Sequence, residues 1–223
     1  MTAHFPNSPD VISGLVDYTP RRSIYREVLK RAFDVTFVIC VALLVVPLVF
    51  VVAILVMLDG NSPFYAQQRV GKDGRVFSMF KLRSMVPNAD RTLSEYLRTN
   101  PEARAEWNRT QKLRHDPRIT LIGRVIRKTS LDELPQFWNV FRGDMSVVGP
   151  RPMMPSQRDL YPGQAYYALK PGITGFWQIG DRNETSFAAR ARFDAEYYTR
   201  VSLFTDVAVI AKTIKVVLRA TGV

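Results

Sequence analysis

The residues best suited to chemistry lie between His115 and Pro152, where Arg118, Arg124, Arg127, Lys128, Arg142 and Arg151 surround an adjacent acidic pair, Asp132-Glu133. A guanidinium is a planar fork that matches the oxygens of a phosphate. The region is therefore suited to phosphate, with two carboxylates set among the groups that would hold it. Pro135 follows the pair, and proline is comfortable in a helix only within the first turn. Asp132 and Glu133 are thus expected at a helix N-terminus, where the positive end of the helix dipole favours ionised carboxylates. Adjacent helical positions point about 100° apart, so the two acids should differ in role.

The same residues admit a plainer reading. Ser130-Leu131-Asp132-Glu133 matches a capping box, in which Ser130 and Glu133 only satisfy first-turn amides. Gly143-Asp144, Gly149-Pro150-Arg151-Pro152 and Pro171-Gly172-Ile173-Thr174-Gly175 read as loops that either display binding groups or merely connect elements. The residues alone leave these alternatives open.

Absences narrow the field. The sequence has no P-loop, no dinucleotide-type glycine fingerprint, no nucleophile elbow and no HExxH. One cysteine, Cys40, and two histidines, His4 and His115, support neither a disulfide framework nor a Cys/His zinc site. A formal net charge of +11 and a pI near 10.0 suit polyanions, phosphate-bearing ligands or an anionic membrane surface.

The elements that must position this chemistry begin with a membrane segment. Val35 to Leu58 carries no charge and is as long as the roughly 20 apolar residues a helix needs to cross a bilayer. Arg21, Arg22, Arg26, Lys30 and Arg31 precede it, and Arg69, Lys72, Arg75, Lys81 and Arg83 follow it. Both flanks therefore favour the cytoplasm. Pro47 lies near the middle, where it removes one backbone donor and kinks or breaks a helix. Either the helix bends at Pro47 and returns to the face it entered, or it spans once with a tolerated proline. Met1 to Ser23 is polar, proline-bearing and without a signal-peptide core, so it is expected to be a flexible tail.

Further on, Lys72-Asp73-Gly74 between strand-prone stretches predicts a hairpin, with the strand content near Val70 to Phe80. Asn88 to Leu113 predicts two short, partly exposed helices broken at Asn100-Pro101. Leu203 to Leu218 is amphipathic, with Val207, Ile210, Ile214, Val217 and Leu218 on one side and Lys212, Lys215 and Arg219 on another. It either lies on an anionic membrane surface or docks on the core.

Several pieces in fixed order resemble the bacterial sugar transferases, small monotopic phosphoglycosyl transferases that begin glycan assembly on polyprenyl phosphate. They are Lys30-Arg31 with Asp34, Gln68-Arg69-Val70-Gly71, Phe80-Lys81-Leu82-Arg83-Ser84-Met85, Thr129-Ser130-Leu131-Asp132-Glu133-Leu134-Pro135-Gln136, Gly143-Asp144-Met145-Ser146-Val147-Val148-Gly149-Pro150-Arg151-Pro152 and Pro171-Gly172-Ile173-Thr174-Gly175-Phe176-Trp177-Gln178. The likeness runs from about Tyr25 to the C-terminus. It implies an α+β, mainly helical chain in three parts. Residues 1–23 would be the tail, 24–59 a re-entrant membrane helix broken at Pro47, and 60–223 a cytoplasmic-face catalytic domain with a small β-hairpin and a C-terminal interfacial helix.

The resemblance further implies that Asp132 and Glu133 are catalytic. Asp132 would attack the β-phosphorus of a UDP-sugar, galactose or glucose, release UMP and form an aspartyl intermediate that undecaprenyl phosphate then attacks. Mg²⁺ would be needed, with Asp132 its protein contact. Lys81, Arg83, Arg127 and Arg151 would bind the phosphates. The setting would be the bacterial inner membrane in contact with lipid, as the first membrane step of exopolysaccharide synthesis, with no nucleic acid partner. Ile179-Gly180-Asp181-Arg182-Asn183 departs from the family's usual continuation, which leaves donor identity open. The competing reading is a membrane-anchored basic binding or scaffold protein without catalysis.

Overall fold

The computed structural model describes residues 23–58, 62–110, 113–180 and 187–218. The expected tail up to residue 22, Asp181-Arg182-Asn183 and Arg219 lie outside them. After a single π-helical turn at Tyr25–Leu29, the apolar run forms helix α1, Lys30–Met57, hydrogen-bonded as one helix with Pro47 inside it. The expected break at Pro47 is therefore not a gap in secondary structure. Tyr25–Met57 is the one stretch among the described residues long and apolar enough to cross a membrane. Its burial is confined to the ends: Asp34 and Val38 near the start, and Val52, Ala53 and Val56 near the finish.

Polar contacts fix both ends of α1 to the rest of the chain. Asp34 Oδ1 accepts from Ser146 Oγ and from the Val147 amide, each at 3.0 Å. Arg31 donates to the carbonyls of Val140 at 2.6 Å and Phe141 at 2.8 Å in the last turn of a helix, where carbonyls lack their full set of intrahelical partners. At the far end Arg83 donates to the Val56 carbonyl at 3.3 Å. Asp206, fully buried, accepts from Lys30 at 2.7 Å, Tyr25 at 2.6 Å and Tyr197 at 2.7 Å. A buried carboxylate persists when it is paired and hydrogen-bonded in this way.

The hairpin forms as the Asp-Gly signal predicts, though longer than Val70 to Phe80. Strands β1, Phe64–Val70, and β2, Val76–Leu82, pair antiparallel with Val70 opposite Val76. Asp73 and Gly74 both take positive φ in the turn. Helices α2, Ala89–Thr99, and α3, Pro101–Thr110, stand on either side of Asn100 as expected. Helix α4, Leu121–Lys128, is capped by the Thr120 hydroxyl, which accepts from the Gly123 amide. Gly123 has no substitute here, because a Cβ would lie 2.0 Å from the Ser84 carbonyl oxygen.

Helix α5, Gln136–Arg142, carries Asn139, which is fully buried and behaves as a strand partner to β2. Its Oδ1 accepts from the Phe80 amide at 3.0 Å and its Nδ2 donates to the Ser78 carbonyl at 2.8 Å. A second sheet, absent from the sequence expectations, pairs β3, Ser146–Val148, in parallel with β4, Gly172–Thr174. Between them lies the short helix α6, Ala165–Ala168. A Cβ on Gly172 would meet the Gly149 nitrogen at 2.1 Å, so the glycine-proline loops are backbone-to-backbone contacts rather than loose connections.

Helices α7, Phe176–Ile179, α8, Arg190–Arg200, and α9, Leu203–Leu218, complete the chain. The main core gathers Val140, Met145, Val147, Val148, Tyr197 and Val209 around β3. Helix α9 is docked on that core through Asp206 and Val209, while Phe204 and Val207 stay exposed.

Candidate active site

Asp132 and Glu133 sit on a single 3-10 turn, Leu131–Glu133, between α4 and α5. They precede the α-helix rather than opening it, since Pro135 is the residue that caps α5. The capping box does not form: Ser130 is left-handed at φ 58° and makes no side-chain cap bond. Both carboxylates turn instead toward Lys81 near the end of β2. Lys81 Nζ lies 2.9 Å from Glu133 Oε1 and 3.6 Å from Asp132 Oδ2. Asn139 holds α5 against β2 beside Ser78 and Phe80, so the turn bearing the acids and the strand bearing the lysine are kept in register.

Burial is the largest influence on Asp132 and raises its pKa above the usual carboxylate value. Lys81 opposes the rise, Glu133 adds to it, and Arg127 opposes it more weakly. The ionised form expected at a helix N-terminus is thus disfavoured by desolvation, with the pair lying on a turn ahead of the helix. An aspartate that is desolvated yet held near ammonium and guanidinium groups is a better nucleophile than one in water.

These residues line a cavity of about 620 Å³. One wall is polar, made by Lys81, Arg127, Asp132, Glu133 and Arg151. The other is apolar, made by Phe37, Val41, Leu44 and Val45 of α1 and Ile210, Ile214 and Val217 of α9. Four of the five apolar positions expected on α9 are Ile210, Ile214, Val217 and Val207, and the first three face this cavity. Arg127 carries a buried Nη1 with no hydrogen-bond partner among the described residues. An uncommitted guanidinium N–H beside two acids is suited to an incoming oxyanion. Pro47, by contrast, lies outside the cavity on the exposed middle of α1.

Arg83 stands apart from the group in which it was expected. Its guanidinium is turned to the last turn of α1 and does not line the cavity, because helix-terminal carbonyls attract a cation. Sequence reasoning also missed Asn139, whose only signal is an amide set within the apolar run Leu134, Phe137, Trp138 and Phe141. It missed Arg69 and Arg190 as well. Arg190 lies 4.3 Å from the centre of the Trp177 ring and 4.8 Å from that of Phe187, and Arg151 lies 5.3 Å from Trp177.

The profile of the bacterial sugar transferases matches residues 25–220. The UDP-galactose-lipid carrier transferase of Erwinia amylovora is 49% identical over 196 residues, covering 87% of this chain and 41% of its own. The undecaprenyl-phosphate galactose phosphotransferase of Salmonella typhimurium is 46% identical over the same shares. The exopolysaccharide production protein ExoY of Rhizobium meliloti is 45% identical, covering 86% of this chain and 87% of its own. The chain therefore spans about two fifths of the length of the first two relatives and most of the third. A match across nearly all of the described residues, with the acidic pair and its basic neighbours lining one cavity, makes this chain a member of the bacterial sugar transferases.

Proposed function

We propose that the protein transfers a sugar-1-phosphate from a UDP-sugar, with galactose or glucose as the sugar, to undecaprenyl phosphate. The carrying observation is the two-sided cavity: a wall of acids and cations for the diphosphate, facing a wall from α1 and α9 for a polyprenyl chain. The names of the relatives supply galactose and the undecaprenyl or lipid carrier. In the first displacement an Asp132 oxygen bonds to the β-phosphorus as the bond to the bridging oxygen breaks, and UMP departs with that electron pair. In the second, the oxygen of the lipid phosphate attacks the same phosphorus and restores the carboxylate. Lys81 holds Glu133 and faces Asp132 throughout, and Arg127 offers its uncommitted N–H to the transferred phosphate.

Mg²⁺ suits this donor set in one manner. No group of three or more His, Cys, Asp or Glu able to hold a metal occurs among the described residues, but Mg²⁺ commonly rests on one or two carboxylates plus substrate phosphates. Asp132 and Glu133 would hold it, and when bound it screens phosphate charge from the approaching carboxylate.

We further read α1 as re-entrant from the cytoplasmic face of the bacterial inner membrane. Both its ends dock on the same catalytic body, residues 39–51 include none that is buried, and both flanks are basic. The test is UMP release from a panel of UDP-sugars by detergent-solubilised protein with Mg²⁺ and undecaprenyl phosphate. Release with one donor, lost in Asp132→Asn, is expected. Release that persists in that variant removes the aspartyl mechanism, and binding without release for any donor favours a scaffold.

A further inference from the structure

Beside the acidic pair stands a second cationic group, of which the proposal above uses only Arg151, as part of the polar wall. Arg151 lines the cavity, and its guanidinium lies over Trp177, which lines it too. Arg190 is held between Trp177 and Phe187. Arg69 is anchored from the other side by donation to the Pro152 carbonyl at 3.1 Å and to Gln67 Oε1, and its Nε is buried without a partner among the described residues. Burial is the main cause that lowers the pKa of Arg69 and Arg190, and Arg151 is the strongest charged influence on each, lowering it further. Three guanidiniums so close repel one another, and none of the three has an ion pair among the described residues.

Among the described residues the acid that acts on Arg190 is Asp194, and it gives little relief. Asp194 lies four residues on in α8, is 5% exposed, and accepts from Tyr161 at 2.7 Å. Burial raises its pKa to about 7, so near neutral pH much of it carries no charge. A fold that gathers three guanidiniums beside an aromatic shelf, with none of them in an ion pair among the described residues, is suited to receive an anion. Ring contacts hold the Arg151 and Arg190 guanidiniums, and hydrogen bonds hold that of Arg69, before any ligand arrives, which lowers the ordering cost of binding.

We propose that Arg151 and Arg190, mounted on Trp177, form with Arg69 a distinct anion subsite for the nucleoside monophosphate that departs in the first displacement. The proposal rests on the transfer reading for the identity of its ligand. As Asp132 bonds to the attacked phosphorus, the electron pair of the breaking bond stays on the bridging oxygen, and negative charge grows on the departing phosphate. Lys81 and Arg127 attend the phosphate that is kept, and the arginine cluster attends the one that leaves. Arg190 is a positioning residue as well, because it fixes the indole on which Arg151 rests.

The subsite is tested by titrating UMP into detergent-solubilised full-length protein and following tryptophan fluorescence, beside UMP-release kinetics. Arg190→Gln and Arg151→Gln are expected to weaken UMP binding at least tenfold. Arg190→Lys should recover part of it, and Asp132→Asn should leave it within about threefold of the parent. Undecaprenyl phosphate binding should not change in Arg190→Gln, which separates loss of the subsite from loss of the fold. Unchanged UMP affinity in both Gln variants overturns the subsite while leaving the transfer reading intact. The same holds if the parent protein transfers sugar phosphate yet binds UMP nowhere. Absence of both UMP binding and transfer overturns the two together.

Discussion

At the scale of single residues, Asp132 and Lys81 carry the first expectations. Asp132→Asn should lower transfer by at least about a thousandfold, roughly 4 kcal/mol of barrier, with membrane attachment unchanged. Lys81→Met should cost about a hundredfold and also move the pH profile. Burial raises the Asp132 pKa and Lys81 is the main force opposing that rise. The acid limb of kcat/KM for UMP release should therefore lie above the ordinary carboxylate range, and move higher still in Lys81→Met. A limb left in place by that substitution would assign it to another group. Asp194 gives a separate expectation for stability. Its folded pKa is raised to about 7 from 3.8. Below about pH 4 both folded and unfolded states hold the proton and no penalty exists. As pH rises toward 7 the unfolded chain ionises first, and stability falls by on the order of 4 kcal/mol before levelling. Thermal unfolding followed from pH 4 to 8 should show this decline, and Asp194→Asn should flatten it.

At the scale of elements, Asn139, itself fully buried, joins α5 to β2 by two hydrogen bonds. Asn139→Ala strands the Phe80 amide and the Ser78 carbonyl, at a cost of about 2–3 kcal/mol. A drop in Tm of several degrees, with transfer falling more steeply than the folded fraction, is the expected signature, since Lys81 is displaced from the acids. Helix α1 offers a test of topology. With Cys40 replaced, single cysteines at Ser23 and Lys215 should label from the same side of sealed vesicles. Pro47→Leu, which restores the missing backbone donor, should favour a straight span and put the two labels on opposite sides. What the sequence disclosed follows the same physics. The apolar run, the Asp-Gly turn and α9 were legible because charge, left-handed turn chemistry and periodicity act locally. Strands β3 and β4 were not, because three residues show no alternation and their pairing rests on Gly149 and Gly172 meeting across the fold. The acidic pair was visible, but its neighbours were only partly so. Arg127 and Arg151 lie near it in the chain, whereas Arg190 reaches Trp177 only through tertiary packing, and Arg83 was drawn off to the end of α1.

At the scale of the whole molecule, a net charge of +11 and exposed Phe204, Trp138 and Leu121 combine attraction to acidic headgroups with apolar anchorage. Cosedimentation with vesicles containing anionic lipid should weaken as salt is raised, yet a fraction should remain bound through α1 in high salt. Loss of all binding in salt would mean that α1 does not insert. The spacing of the two docked ends of α1 has one more result. From Asp34 to Pro47 the helix rises about 20 Å, and from Pro47 to Val56 about 14 Å, against a hydrocarbon core of roughly 30 Å. On the re-entrant reading proposed above, with Pro47 deepest, α1 would occupy mainly one leaflet and act there as a wedge, adding area to the side it enters from. Such a wedge is indifferent to overall bilayer thickness and responsive to lateral pressure. Transfer rates in vesicles should then change little with acyl-chain length, and fall when conical lipids crowd the leaflet that the helix must part.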